Sequence, residues 1–207
     1  MAKGGGSSRS TSPNSNDFGR LANSSDWFIS VGMKRYESER EDYDYSDMKK
    51  LNETEKTYLV AYLSNAYTSV NKYLRTGEGV ADSGLLANKV SAALKKLDNY
   101  QGEVYRGIGF DGKSGKRQYD ALLGYYKSNV GNAIEEKSFV STGTNKSLVS
   151  RKFGKGSYDH SIEITIESKT GKDLRRYNNE EKEILFDRRT KFKVISVSGN
   201  KVRLKQL

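Results

Sequence analysis

The chain has 207 residues, with 36 Lys and Arg against 26 Asp and Glu, one His and no Cys. A chain of this length favours one globular domain plus a tail. The lack of cysteine excludes disulfide scaffolds, thiol nucleophiles and thiolate metal sites, and the single histidine, His160, excludes a multi-histidine metal site. We therefore expect no metal, and we expect the chemistry to depend on carboxylates, hydroxyls and arginines.

The formal charge of +10 lies almost wholly in the second half of the chain. Residues 1–100 carry 14 basic and 13 acidic side chains, whereas residues 101–207 carry 22 and 13, a net charge of +9. Such a field favours an anionic ligand, nucleic acid or an acidic protein surface. A basic nucleic-acid-binding module without enzymatic activity is therefore one alternative. No apolar run reaches the roughly 20 residues of a membrane span, so we expect a soluble protein with no membrane partner.

The order of the predicted elements favours an α+β fold. The first 25 residues, rich in Gly, Ser and Asn, predict a disordered tail before a single domain over residues 26–207. Apolar spacing predicts helices over residues 53–75, 85–97, 119–126 and 147–153, the first capped by Asn52 with Glu55 and stopped at Gly77. Strands are predicted over residues 104–107, 137–142, 161–167, 183–186, 192–197 and 202–204, the last two as a hairpin. Helices come first and strands last, as in a helical part packed on a mainly antiparallel two-sheet core.

Residues 107–114 match the phosphate-binding loop pattern G-x-x-x-x-G-K-[ST] directly after a predicted strand. Taken alone, this match indicates a P-loop nucleoside triphosphatase, which is a second alternative. The pattern needs a helix that begins at the Lys-Ser pair, so that free backbone N–H groups meet the phosphates. Here Gly115 follows Ser114 and weakens that first turn, and the later strands are predicted to be antiparallel rather than parallel.

Three further segments carry polar residues in a distinctive order. They are Arg106 with Gly107, the run Ser141-Thr142-Gly143, and Glu181-Lys182-Glu183 at the start of a predicted strand. With the helix that ends in Asn71 through Arg75, they resemble the ADP-ribosyltransferases of the Arg–Ser–Glu class, above all the C3-like exoenzymes and the catalytic domains of actin-modifying binary toxins. The resemblance covers about residues 45–207.

The resemblance implies an ADP-ribosyltransferase fold and transfer of ADP-ribose from NAD⁺, with NAD⁺ hydrolysis as a side reaction. It assigns Glu183 to the ribose and its oxocarbenium-like transition state, Glu181 to the acceptor, and Ser141 to orienting Glu183. The contacts that it implies for the dinucleotide are Arg106, Gly107, Asn71, Arg75, Thr142 and, as a stacking partner of nicotinamide, Phe153. Tyr177 is the candidate contact to the target protein. The residues suit this chemistry on their own, since alternation places both carboxylates on one side of an extended segment and carboxylates stabilise a cationic sugar.

The sequence departs from the family's pattern at three places. Gly143 replaces the second Ser of the S-T-S motif, and Lys155 with Gly156 stands where the toxins tend to place an Arg. The first position of the E-x-E pair is Glu181 rather than Gln, unlike the C3-like enzymes. In the family, a glutamate at this position goes with arginine acceptors. We therefore expect a monomer that modifies an arginine of a target protein in the cytoplasm of a target or host cell, with nucleic-acid contact through the basic half left open.

Overall fold

The computed structural model describes residues 50–154, 156–175 and 182–207. The predicted tail over residues 1–25 lies outside them, as do Lys155, Tyr177 and Glu181. The helices in these stretches are α1 (Glu53–Ala61), α2 (Tyr67–Thr76), α3 (Ser83–Lys96), α4 (Gly112–Ser128) and α5 (Lys146–Phe153). The strands are β1 (Asn99–Phe110), β2 (Ala133–Glu136), β3 (Val140–Gly143), β4 (His160–Asp173), β5 (Glu183–Phe186), β6 (Thr190–Ser198) and β7 (Lys201–Gln206). The predicted α+β fold is confirmed.

The first predicted helix consists of two α-helices, α1 and α2, which are joined directly by a π-helical turn. α1 begins at a capping box, in which the Asn52 side chain accepts from Glu55 N at 2.9 Å and the Glu55 carboxylate accepts from Asn52 N at 3.0 Å. The π-helical turn covers Tyr62–Ala66 and joins α1 to α2. α2 ends at Gly77, whose φ of 77° is in the left-handed region that favours glycine. The predicted caps at both ends are therefore confirmed, and the π-helical turn was not foreseen.

Two apolar clusters form the core. In the first, α1, α2 and α3 pack together through fully buried residues such as Leu59, Val70 and Val90. They cover Phe139, directly before β3, and Leu185 of β5. The second cluster lies between the strands and α4, which contributes Leu123 and Tyr126. Strands β3 and β5 therefore have one face towards the helical layer and the other towards the second cluster. Among the described residues, no helix is long and apolar enough to cross a membrane.

The seven strands are hydrogen-bonded in one sheet, in the order β1-β3-β5-β4-β7-β6-β2, rather than in the two sheets that we expected. β1 also pairs with β4 over almost its whole length, so that β1, β3, β5 and β4 close on themselves. The long strand β4 makes this possible, because it pairs with β1 from His160 through Lys172 and with β7 from Glu163 through Glu167. Its last residues, Lys172 and Asp173, pair with β5. The pairings are antiparallel as predicted, except that β4 and β7 are parallel.

The P-loop interpretation of residues 107–114 is wrong. Gly107 through Phe110 are extended residues of β1 and pair antiparallel with His160 through Glu163, so they cannot wrap around a phosphate. The helix predicted from residue 119 begins earlier, at Gly112, so Gly115 lies in the first turn of α4. Gly115 is buried there against β1, and a Cβ on it would lie 2.9 Å from the carbonyl carbon of Phe110. This glycine serves close packing of α4 on the end of β1.

Candidate active site

A cavity of about 470 Å³ lies where the π-helical turn, α2 and α5 face strands β1, β3 and β5. Its volume is within the range of small-molecule sites. Seven of the residues singled out from the sequence line it: Asn71, Arg106, Gly107, Ser141, Thr142, Phe153 and Glu183. Arg75 lies one helical turn beyond Asn71 and is not part of this lining, and Tyr177 and Glu181 lie outside the described residues.

The pairing of β3 with β5 places the serine and the carboxylate on the same face. Ser141 pairs with Leu185 and Gly143 pairs with Glu183. Residues opposite each other in an antiparallel pair share a face, and diagonal neighbours on that face are within reach of each other's side chains. Since Leu185 belongs to the helical cluster, Ser141, Gly143 and Glu183 all face the helical layer and the cavity. Glu183 is only 4% exposed, so its carboxylate lies in a largely dry environment.

Arg106 links the first strand of the site to the second. Its Nη1 donates to the carbonyl oxygen of Ser141 at 2.7 Å, a charge-assisted bond between β1 and β3. β1 itself is held by the antiparallel pairing with β4, in which Arg106 faces Ile164. The guanidinium therefore fixes the backbone of the residue that faces Glu183 diagonally, while it also borders the cavity with a positive charge.

Thr142 points away from the cavity. Its hydroxyl donates to the carbonyl oxygen of Ile184 at 2.7 Å, in buried surroundings. Its partner Ile184 belongs to the second apolar cluster, on the face opposite to Ser141 and Glu183. The Thr142 hydroxyl thus ties β3 to β5.

Tyr62, Asn71 and Phe139 form a network on the helical wall. Asn71 Nδ2 donates to the Tyr62 hydroxyl at 3.1 Å, and Asn71 Oδ1 accepts from Phe139 N at 3.2 Å. The rings of Tyr62 and Phe139 meet edge to face at 5.0 Å. Burial raises the pKa of the Tyr62 hydroxyl far above its usual value, and the nearby Glu183 adds to this increase against the opposing effect of Asn71. The hydroxyl therefore stays protonated beside Glu183 at neutral pH.

Gly107 allows α5 to approach β1 closely. A Cβ at this position would lie 2.5 Å from the Cβ of Phe153, closer than real side chains come. α5 is started by Asn145, whose side chain accepts from Leu148 N at 3.0 Å. The glycine in the strand and the cap of the helix together bring Phe153 to the cavity.

The sequence did not single out several other residues that line the cavity. They are Tyr62, Leu63, Ser64, Tyr67, Tyr105, Leu148, Val149 and Lys152. The tyrosines of the first helical run recur at a spacing that is also typical of core residues. Tyr67 is 50% exposed, and it precedes Asn71 by one helical turn. That spacing from a candidate site residue is the signal that could have identified it.

A family model of the ADP-ribosyltransferase exoenzymes matches residues 38–206. The match covers most of the chain and contains the helical layer, the cavity and all seven strands. The chain therefore belongs to the ADP-ribosyltransferase exoenzyme family. Its members are enzymes that use NAD⁺ as the donor of ADP-ribose. Among curated proteins, none matches the chain significantly.

Solved structures of bacterial proteins, among them the ADP-ribosyltransferase Vis, share this fold. Vis from Vibrio splendidus, solved in complex with agmatine, is 20% identical with a TM-score of 0.59, over 89% of this chain and 86% of that one. Exoenzyme S from Pseudomonas aeruginosa, solved with human 14-3-3 protein beta and bound to carba-NAD, is 22% identical with a TM-score of 0.60, over 86% of each chain. The type III effector XopAI from Xanthomonas axonopodis pv. citri is 18% identical with a TM-score of 0.61, over 93% of this chain and 87% of that one.

Proposed function

We propose that the protein is a mono-ADP-ribosyltransferase that moves ADP-ribose from NAD⁺ to an arginine of a target protein, with NAD⁺ hydrolysis as a side reaction. One observation carries the proposal: in a chain of this family, Arg106, Ser141 and Glu183 from three different strands border one cavity. The cavity is large enough for the reacting half of a dinucleotide, and it combines a guanidinium for the diphosphate with a buried carboxylate for the sugar.

The donor step breaks the bond between C1′ of the ribose and the nicotinamide nitrogen. The electron pair leaves with nicotinamide, which becomes neutral, and positive charge develops on the sugar. A carboxylate stabilises such an oxocarbenium-like state most strongly where water is excluded. Glu183 has the required burial, and Ser141 on the diagonal position of the same face is placed to orient it. Phe153 is the proposed stacking partner of the nicotinamide ring, and Asn71, Gly107 and Arg75 are proposed dinucleotide contacts.

The acceptor step requires a nitrogen that gives its electron pair to C1′ and loses a proton. We assign the proton to Glu181, two residues before Glu183, because the family resemblance links a glutamate there with arginine acceptors. The complex of Vis with agmatine supports a guanidinium acceptor, since agmatine carries the same group as an arginine side chain. Tyr177 is the proposed contact to the target. Both Glu181 and Tyr177 lie outside the described residues.

The remaining expectations belong to the same proposal. The catalytic domain covers residues 26–207 after a tail of 25 residues, and it acts as a soluble monomer in the cytoplasm of a target or host cell. The charge of +9 on residues 101–207 supports attraction of the NAD⁺ diphosphate or of an acidic target. No recognised motif supports direct nucleic-acid binding, so we rank it below attraction of NAD⁺ or of a protein target.

The test uses the wild-type protein, labelled NAD⁺ and a cell lysate, with nicotinamide release and protein labelling measured separately. Glu183→Gln keeps the shape of the side chain and removes its charge, so we expect both activities to fall by about 10² or more. Glu181→Gln should reduce protein labelling far more than nicotinamide release, because only the acceptor step needs its base. Mass spectrometry of the labelled proteins identifies the acceptor residue.

Each result bears on a separate part of the proposal. If the wild type neither releases nicotinamide nor labels any protein, the enzymatic function is refuted. Labelling on residues other than arginine would refute the acceptor assignment and leave the donor step intact. Equal losses of labelling and hydrolysis in Glu181→Gln would show that Glu181 acts in the donor step instead.

A further inference from the structure

A chain of hydrogen bonds connects α2 with the segment that enters β3. Arg75 Nη1 donates to Ser138 Oγ at 3.1 Å, and Ser138 Oγ donates to Glu136 Oε1 at 2.9 Å. The backbone N of Ser138 also donates to Glu136 Oε1, at 3.3 Å. Ser138 is 2% exposed, whereas Arg75 is exposed. A buried serine therefore separates an exposed guanidinium from a carboxylate.

The direction of these bonds is fixed by chemistry. An arginine has only donors and an ionised glutamate only acceptors, so the serine hydroxyl must give its single proton to Glu136 and accept from Arg75 with a lone pair. Bonds that follow one another in this way polarise each other. The carboxylate thus acts on Arg75 through Ser138, and no ion pair joins Arg75 to Glu136 within the stretches that the structure describes.

The position of Ser138 is itself held from α2. Asn71, one helical turn before Arg75, accepts from the backbone N of Phe139, the residue after Ser138. Positions four apart lie on one face of a helix, so Asn71 and Arg75 contact consecutive residues of the same segment. At its other end Glu136 closes β2, where its backbone oxygen accepts from Arg189 N at 2.8 Å. Ser138 is therefore placed from both sides before any ligand binds.

Arg75 lies one helical turn beyond the cavity residue Asn71, with most of its donors still available to a ligand. The bond to Ser138 is the one hydrogen bond from its side chain to a described residue, and it uses one of five N–H donors. Its charge reaches the cavity residue Tyr62, since it lowers the pKa of that hydroxyl against the larger increase caused by burial. A direct pair with a carboxylate would occupy the planar fork that binds phosphate oxygens. A single bond to a neutral hydroxyl orients the guanidinium and leaves the fork for an anion.

We propose that Ser138, held by Glu136, is a positioning residue that orients Arg75 towards the diphosphate of NAD⁺. This role rests on the proposed function, because it needs NAD⁺ in the cavity. Ser138 itself is not among the residues that line the cavity, so we expect it to make no direct contact with the dinucleotide. Its effect is therefore expected on NAD⁺ affinity alone, and only while Arg75 is present.

The test is a double-mutant cycle on nicotinamide release, with KM for NAD⁺ and kcat determined for each variant. Ser138→Ala should raise KM about three- to tenfold, as for the loss of one hydrogen bond, with kcat within about twofold. Arg75→Ala should raise KM by at least as much, and Ser138→Ala added to Arg75→Ala should change it no further. Ser138→Thr, which keeps the hydroxyl, should restore KM, and Glu136→Gln should raise KM by a smaller factor than Ser138→Ala.

Ser168→Ala is the matched control. Ser168 is also a buried serine with two bonds, since it donates to the carbonyl of Tyr100 at 2.8 Å and accepts from Gly171 N at 3.2 Å, away from the cavity. It should lower the melting temperature as Ser138→Ala does, with KM unchanged. An unchanged KM in Ser138→Ala and Glu136→Gln, or an equal increase with Arg75 absent, would overturn the positioning role. Lack of turnover by the wild type would instead overturn the proposed function, and with it this role.

Discussion

Replacing Gly107 by alanine is expected to push α5 away from β1. The added Cβ would lie 2.5 Å from Phe153 Cβ and 3.2 Å from the carbonyl oxygen of Phe153, whereas carbon atoms in contact prefer about 3.5–4.0 Å. α5 must therefore move outward by about 1 Å or more. Overpacking of this kind costs about 1–3 kcal/mol. For a chain of this size each kcal/mol lowers the melting temperature by roughly 2–4 °C, so we expect a decrease of about 2–12 °C.

The same movement should weaken NAD⁺ binding, because Phe153 and its neighbours on α5 form one wall of the cavity. Circular dichroism gives the melting temperature, and initial rates of nicotinamide release give KM for NAD⁺. Gly124→Ala is the control: a Cβ on Gly124 would meet nothing within 4 Å, and the position is inside α4. Since alanine favours a helix over glycine, this variant should gain about 0.5–1 kcal/mol. If Gly107→Ala melts and binds like the wild type while Gly124→Ala is stabilised, α5 does not rest on Gly107 as described.

Two further variants test buried groups next to the site. Thr142→Val removes the bond to the carbonyl of Ile184 and should cost about 1–3 kcal/mol in the free energy of unfolding, with KM for NAD⁺ within about twofold; an increase in KM without loss of stability would contradict a purely structural role for the hydroxyl. Burial raises the pKa of Tyr126 from 10.0 to about 12, so its contribution to stability is complete below pH 10 and is lost as the pH rises through about 12. Urea unfolding at pH 8 and pH 11 should therefore show a smaller loss of stability in Tyr126→Phe than in the wild type, by about 1.4 kcal/mol, because pH 11 lies about one pH unit above the unfolded pKa. An equal loss in both proteins would refute this origin of the alkaline sensitivity.

The elements that the sequence predicted well are those whose pattern is local. β5 begins and ends where its four residues indicated, and the helical spacing and the capping residues located α1 through α3. The second half of β4 was missed because Ser168 through Gly171 have no apolar alternation. Ser168 is nevertheless buried against the backbone of Tyr100, and Gly171 is small enough to lie against Ile184. Contacts with distant strands decide this segment, and a local pattern cannot contain them.

The same limit applies to the site. The family resemblance located Arg106, Ser141 and Glu183, and the structure places them around one cavity. It did not indicate that Thr142 would turn its hydroxyl to the neighbouring strand, nor that Arg75 would bond to Ser138. It also did not indicate that the strands of the two expected sheets would be hydrogen-bonded in one sheet. Those features depend on register and on side-chain direction, which are set only when the strands pair.

The closed group of β1, β3, β5 and β4 has a consequence for how the protein becomes active. β1 is made early, but its long partner β4 and the carboxylate strand β5 follow far later in the chain. Pairings between such distant segments form late in folding, since long loops must close first. A nascent chain therefore holds Arg106 before its carboxylate has been made. Catalytic competence should arise in a single late step, together with the last strands, and a protein shortened from its C-terminal end should lose activity before it loses its helices.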